Sequence, residues 1–544
     1  MASPSDSDGS KGGIFEDIET PDRGDGAVLP LPKIDVERLG RQRPDSLPNW
    51  AAEAGFVFAI IASLLMSEYF ISGFNIILPA LAESLHIREE ERTWPAGVIN
   101  LTTAALLLPC ARLCSIHGGR IVFLCGHLWF LVWSLVCGFS QNPTMLIVSR
   151  AMQGVGAAAF MPAGLALLGQ IYRPGPRKNF VFSLYGASAC IGFYLGIIIS
   201  ALTSQLADWS WYFFVGTICI AAVVLTGFFA IPRHLHHDGP DVRMDWWGCG
   251  TIVPGLLLVV YALTDGGNAP DGWRTPYIYV TFVIGGLFLC AAVYTQGWVS
   301  AQPLLPSDLF RPKYMKRISA FLFCGFGVFA IFLFYSSFYI ENVLKASPIQ
   351  SAAWFTPLAI GGFILAITGG FVMHILPGRI LLWVSAAGFL LCALLFPMIP
   401  PQDGPERLST NRLYFSYIFP AMVCGTIGID ITYNITNVFI TTAMPRRLQA
   451  TAAGLITSLG FFGMAFWLGV AELAVSTAAR YRREAGGEAL SLRERYNIGF
   501  WTGVGLAGVT TACVITARLG HASAELTADE KAALEAEERN TAQQ

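Results

Sequence analysis

Glu68, Arg150 and Asp430 are ionisable side chains set in almost uniformly apolar surroundings. An ionised group at the centre of a membrane helix costs about 2.5–3.5 kcal/mol on insertion scales, so each needs a partner, a wet cavity or a function. Glu68, Ser72 and Asn75 are spaced i, i+4, i+7 and share one helical face. Asp430, Asn434 and Asn437 repeat that spacing, with Thr426 one turn earlier. A polar stripe on an otherwise apolar helix turns toward a bundle interior or a water-filled cavity. Carboxylates so placed can take up and release protons or meet a cationic substrate. The Ser, Thr and Asn members serve equally well as cavity lining or as hydrogen-bond glue between helices. Arg150 begins a face shared with Gln153, Gly154 and Ala157. The small residues let a neighbouring helix approach, while Gln153 and main-chain carbonyls can solvate the guanidinium. A fixed cation there would hold a nearby carboxylate ionised or receive a substrate anion. Glu472 falls late in its apolar stretch, at a depth where solvation makes a charge cheap.

These residues are carried by fourteen apolar stretches, at roughly 54–79, 93–113, 120–140, 143–171, 179–204, 211–231, 246–264, 276–297, 318–340, 351–376, 379–399, 412–441, 450–475 and 498–518. A hydrocarbon layer of about 30 Å takes about 20 residues of helix to cross, and only a helix hides its backbone polar groups within one segment. The expected fold is therefore an all-α polytopic membrane protein. Composition agrees: 54% of the 544 residues are hydrophobic and only 13% charged, half the usual share for a soluble domain. A net charge of -2 gives no footprint for nucleic acid.

The twelve cysteines lie mostly inside apolar stretches, where they read as small hydrophobes, and no disulfide, metal site or cofactor is expected. His236-His237 in a short loop is a weak metal signal. Residues 1–49 and 521–544 are polar and read as cytosolic tails, the first disordered and without the apolar core of a signal peptide. Thr527 and Glu530 form a potential capping box in the second. Lys and Arg concentrate in alternate loops, which places both tails inside. Arg480, Arg482, Arg483, Arg493 and Arg495, between the last two stretches, run against that bias.

The run Arg150-Ala-Met-Gln153-Gly154-Val-Gly156-Ala157 resembles the span-4 motif R-x-x-Q-G-x-G-A of the major facilitator superfamily, within it the fourteen-span drug:proton antiporters. Asp208-Trp-Ser-Trp211-Tyr-Phe213, Asp245-Trp-Trp-Gly248 and Pro303-Leu-Leu-Pro306-Ser-Asp-Leu-Phe310-Arg311 follow in the order that family shows. Gly428-Ile-Asp430-Ile-Thr-Tyr-Asn434-Ile-Thr-Asn437 is most similar to the fungal branch of aminotriazole-resistance and boron-efflux proteins. Two motifs depart from the pattern. In the loop between spans 2 and 3, Gly118, Gly119 and Arg120 are kept, but Ser115 stands where an acidic gate residue is usual. In span 5, Gly192 and Gly196 are kept, but Ile197 replaces proline and Ser200-Ala201 replaces Gly-Gly, which weakens the motif's argument for export.

The resemblance implies two six-helix bundles, residues 50–232 and 301–520, joined by an inserted pair of spans in 233–300. It implies alternating access around a midplane site lined by spans 1, 4, 9 and 12. The expected function is proton-coupled export of small organic compounds by a monomer in the cell membrane or vacuolar membrane, with Glu68, Asp430 and Arg150 as coupling or substrate residues. Phe74, Tyr433 and Phe439 are candidate apolar contacts. Uptake of a small nutrient or ion such as ammonium or boric acid is the alternative. No catalytic His/Asp cluster supports a membrane enzyme, and no GxxxxGK[ST] loop supports ATP-driven pumping.

Overall fold

The structure, a computed structural model, describes residues 42–44, 46–172, 176–233, 242–402, 407–444 and 446–516. The expectations for the two tails (apart from the last residues before the first helix), for His236-His237 and for the Thr527–Glu530 cap fall outside these residues. Fourteen helices are long and apolar enough to cross a membrane, and no β-strand occurs among the described residues. The first six are α1 (Trp50–Ser84), α2 (Thr93–His117), α3 (Gly119–Gly138), α4 (Pro143–Ile171), α5 (Pro176–Leu206) and α6 (Ser210–Ala230). A pair follows, α7 (Trp246–Asp265) and α8 (Pro276–Tyr294). The last six are α9 (Met315–Phe338), α10 (Pro348–Ile375), α11 (Gly378–Leu395), α12 (Phe419–Ala443), α13 (Arg446–Glu484) and α14 (Leu492–Thr516). Single π turns extend α8 and α9 at their ends and lead into α12.

Local chemistry sets the helix ends. Asn49 and Asn142 cap α1 and α4 by accepting from Ala52 N at 2.7 Å and Met145 N at 2.8 Å. The break between α2 and α3 falls at Gly118, whose φ of 87° a residue with Cβ adopts only under strain. Asp245 caps α7 and does more. Its carboxylate accepts from Gly248 N at 2.8 Å, Gln296 Nε2 at 2.6 Å, Ser300 Oγ at 2.5 Å and Leu304 N at 3.1 Å. That gathers the start of α7, the end of α8 and the segment before α9 around one charge. Burial raises the Asp245 carboxyl, but the four donors outweigh it and hold the group below its ordinary range.

Helices α1 to α6 pack mainly on one another, as do α9 to α14, giving two six-helix bundles. The inserted pair packs on itself, and α7 also touches α2 and α13. The first bundle closes around Phe70, Phe130, Phe160, Tyr212 and Phe213, all buried. Tyr69 and Tyr212 stack at 4.8 Å and each donates its hydroxyl to the other's carbonyl, at 2.8 and 2.7 Å. The Asp208–Phe213 motif thus serves to lock α6 onto α1. The second bundle closes around Phe332, Tyr339, Phe396 and Phe500. For description, the side of the molecule where α1 begins is called the tail side, and the other the distal side.

Candidate functional site

A cavity of about 230 Å³ lies between the two bundles. It draws its wall from α1, α4 and α5 on one side and α9, α10, α12 and α13 on the other. Glu68 and Asp430 both line it, from opposite bundles. The rest of the wall is apolar for the most part and includes six aromatic rings, Tyr185, Phe193, Phe326, Phe329, Tyr433 and Phe461, with the thioethers Met161 and Met464. No Lys, Arg or His lines it among the described residues. The lining reaches from mid-length of the helices toward the tail side, for example Leu64, Tyr185 and Thr457.

The two carboxylates are held differently. Asp430 accepts from Thr426 Oγ1, one turn earlier, at 2.7 Å. A Cβ at Gly362 would lie 3.0 Å from Asp430 Oδ2 and 3.3 Å from Thr426 Oγ1, so that glycine keeps α10 clear of the pair. The Glu68 carboxylate has no hydrogen-bond partner among the described residues, and Glu68 lines the same cavity. A fixed acid and a free acid face each other across the space where a substrate can sit.

The other polar residues of the two stripes are placed apart from that space. Ser72 is fully buried and donates to the carbonyls of Glu68 at 2.9 Å and Phe193 at 2.7 Å. Asn75 is buried and donates to Ile71 O at 2.9 Å. Both stand in helix packing: α5 crosses α1 so closely at Gly192 and Gly196 that a Cβ on either would strike Leu65 or Tyr69 backbone. Asn434 and Asn437 are half-buried on α12 below the cavity, with the Asn437 side chain hydrogen-bonded to Tyr433.

Arg150 does not line the cavity. It is 1% exposed, deep in the first bundle. Its guanidinium donates to Pro95 O at 3.2 Å, Phe70 O at 3.0 Å and Gln153 Oε1 at 3.3 Å, and lies 3.8 Å over the Phe74 ring. Gln153 in turn donates to Ser134 Oγ at 2.9 Å. No carboxylate pairs with it among the described residues; carbonyls and an aromatic face solvate it. Phe74 is therefore an Arg150 contact, and Phe439 packs with Leu309 and Ile440 in a separate core cluster. A Cβ at Gly154 would strike Thr102 and the Ile99 carbonyl, so the span-4 motif also fastens α4 to α2.

On the tail side Arg120 donates to Phe228 O at 2.8 Å, binding α3 to α6. Near Ser115, Arg112 donates to Pro303 O at 3.0 Å and Gln302 O at 3.2 Å, in the segment before α9. Glu472 differs from the sequence expectation. It is 4% exposed rather than solvated at an interface, because α13 runs on to Glu484 and the neighbouring elements cover it.

Comparison with known proteins agrees with this architecture. The chain is 28% identical over 480 residues to the Efflux pump terJ of Aspergillus terreus, covering 87% of this chain and 88% of that one. It is 30% identical over 479 residues to the Low affinity ammonium transporter of Saccharomyces cerevisiae, covering 86% and 88%. The Aminotriazole resistance protein of the same yeast is 26% identical over 482 residues, covering 87% and 85%. The family model described as Major Facilitator Superfamily matches residues 58–468. With fourteen spans, two six-helix bundles and a cavity between them, the chain belongs to the Major Facilitator Superfamily and is a multi-pass membrane transporter, not an enzyme.

Proposed function

We propose that this transporter exports small organic compounds, cationic or neutral, in exchange for protons, as a monomer in the cell membrane. Residues 50–232 and 301–520 rock against each other, with 233–300 carried alongside. The observation that carries the reading is the pairing of Glu68 and Asp430 on one aromatic cavity that no basic residue lines. A cation gains from both acids and from ring faces, whereas an anion gains from neither. Protonation from the distal side displaces the substrate, and return to the tail-facing state releases the proton. The membrane potential adds about 2.3 kcal/mol per charge per 100 mV, enough for one inward proton to drive substantial extrusion. The efflux-pump and resistance names of two relatives favour export.

The test is efflux from reconstituted vesicles under an imposed pH gradient, comparing wild type with Glu68→Gln and Asp430→Asn. Each substitution is expected to abolish gradient-driven accumulation while substrate exchange persists. Full coupled transport in both variants would overturn the reading. Uptake of a small cation is the second reading, favoured by the ammonium transporter at 30% identity and by the same acidic cavity. Net movement of methylammonium into, rather than an organic cation out of, energised cells distinguishes them.

A further inference from the structure

Away from the cavity, four charges meet at the distal side, two from each bundle. Glu89 and Arg92 come from the short segment between α1 and α2, Glu472 from α13 and Arg495 from α14. They border a hole of about 20 Å³, floored by Phe334, Tyr335 and Phe338. That is room for a single water. Arg495 pairs with Glu89 across the two bundles. Arg92 lies 5.5 Å from the centroid of the Phe338 ring.

Glu472 Oε1 has no hydrogen-bond partner, and neither do Arg92 Nε and the Tyr335 hydroxyl. Unsatisfied groups of opposite character turned toward one small void mark a site built to hold something small and polar. The same elements are tied at the rim. Arg483 lies 3.9 Å from Glu90, and Asn268, from the loop between α7 and α8, donates to Glu90 O at 2.8 Å. Arg480 donates to Ala269 O at 2.6 Å. Glu472 is also faced by Asn268, which hydrogen-bonds its side chain, by the Glu90 charge, by Tyr496 of α14, which accepts from Asn342, and by Ser476 of its own helix, which donates to Glu472 O.

With every acid ionised, Glu89, Glu90 and Glu472 balance Arg92, Arg483 and Arg495. One added proton leaves Arg92 and Arg495, both half-buried, against Glu89, whose side chain is 37% exposed, and the excess positive charge favours admitting distal water. We propose that this cluster is a second proton-binding site that works as a distal latch: a proton taken up by Glu472 unbalances it and frees the α1–α2 segment from α13 and α14. The proton arrives from distal water, forms an O–H bond on the Glu472 carboxylate, and leaves to the same water before the latch recloses. No electrons move. Acid on the distal side thus favours distal opening, the direction an exporter driven by protons requires. The inference rests on the rocking motion proposed above, and on Glu472 and Arg495 independently of the cavity carboxylates.

The experiment uses the full chain in lipid nanodiscs, its exposed Cys125, Cys219 and Cys290 changed to serine, with spin labels on Glu83→Cys and Ala489→Cys, both exposed and on opposite bundles at the distal side. Distances are measured at pH 9 and pH 5. The parent chain is expected to show mainly the short distance at pH 9 and a longer population at pH 5. Glu472→Gln is expected to raise the long population several-fold at pH 9 and to remove its pH response; Glu472→Asp is expected to restore both. Exchanging the charges of the cross-bundle pair, Glu89→Arg with Arg495→Glu, is expected to recover the short distance that Arg495→Gln alone loses. A Glu472→Gln variant with the parent distances and the parent pH response would overturn the latch. Absence of any long population in every variant, at both pH values and with substrate present, would instead overturn the rocking motion itself.

Discussion

At the scale of single residues, what separates function from support is which surface a polar atom reaches. Glu68 and Ser72 lie on one face of α1, four residues apart, yet the first faces the cavity and the second is sealed against α5. The sequence shows the shared face but not the depth at which α5 closes over it. That depth depends on Gly192 and Gly196 meeting α1 at Leu65 and Tyr69. The charge of Glu68 and Asp430 in apolar stretches was legible because hydrocarbon makes it costly. The aromatic wall was not, since Phe193 or Phe329 in a helix of this kind gives the same pattern whether it packs or lines. Arg150 illustrates the difference in measurable form. Its bonds to Phe70 O, Pro95 O and Gln153 are internal to one bundle, so Arg150→Lys is expected to lose stability, by about 1.5–3 kcal/mol for the charged hydrogen bonds forfeited. Substrate affinity should stay within a few-fold of wild type. Thermal unfolding in detergent beside equilibrium binding checks both halves of the statement.

Among the elements, the Asp245 hub gives the plainest pH dependence. Four donors converge on its two oxygens, so an amide in its place would present an N–H to other N–H groups. The folded group holds its proton less readily than the ordinary value of 3.8. The unfolded chain therefore binds the extra proton first as pH falls. The stabilisation is complete above that value and is lost as pH drops below it toward the folded value. Asp245→Asn is expected to melt at a lower temperature than wild type at pH 7, with the gap unchanged at pH 5 and closing below pH 4; melting curves across that range test it. Helix existence and order were legible from hydropathy throughout. The lengths were less so: α13 spans 39 residues where the apolar run covered 450–475, because its last turns are polar and are held by tertiary contacts rather than by lipid. That extension is what buries Glu472.

On the scale of the whole molecule, the cavity reaches toward the tail side while the distal ends of the bundles are joined. Gln205 on α5 accepts from Ile349 N on α10 at 3.1 Å, and Tyr194 meets Thr356 at 2.8 Å. A disulfide between Gln205→Cys and Ile349→Cys, in a chain with the exposed Cys125, Cys219 and Cys290 changed to serine, is expected to stop transport yet leave substrate binding intact. Binding measured by quenching of intrinsic fluorescence, before and after reduction, tests this; loss of binding on oxidation would contradict it. The arrangement of the two bundles was legible from the family motifs, but the elements that join them were not. Arg112 reaching Pro303 and Arg495 reaching Glu89 link residues far apart in the chain, and no local spacing announces such pairs.

The length of α13 has a consequence for how the protein sits in its bilayer. Thirty-nine residues of helix extend about 58 Å, nearly twice the thickness of a hydrocarbon layer. Even a steep tilt leaves several turns standing in the headgroups and beyond. Arg480, Arg482 and Arg483 ride on those last turns and are held there by Ala269 O, Glu494 and Glu90. Beyond the depth that lipid covers, the overhang therefore fastens α13 to the α7–α8 loop, to α14 and to the segment between α1 and α2.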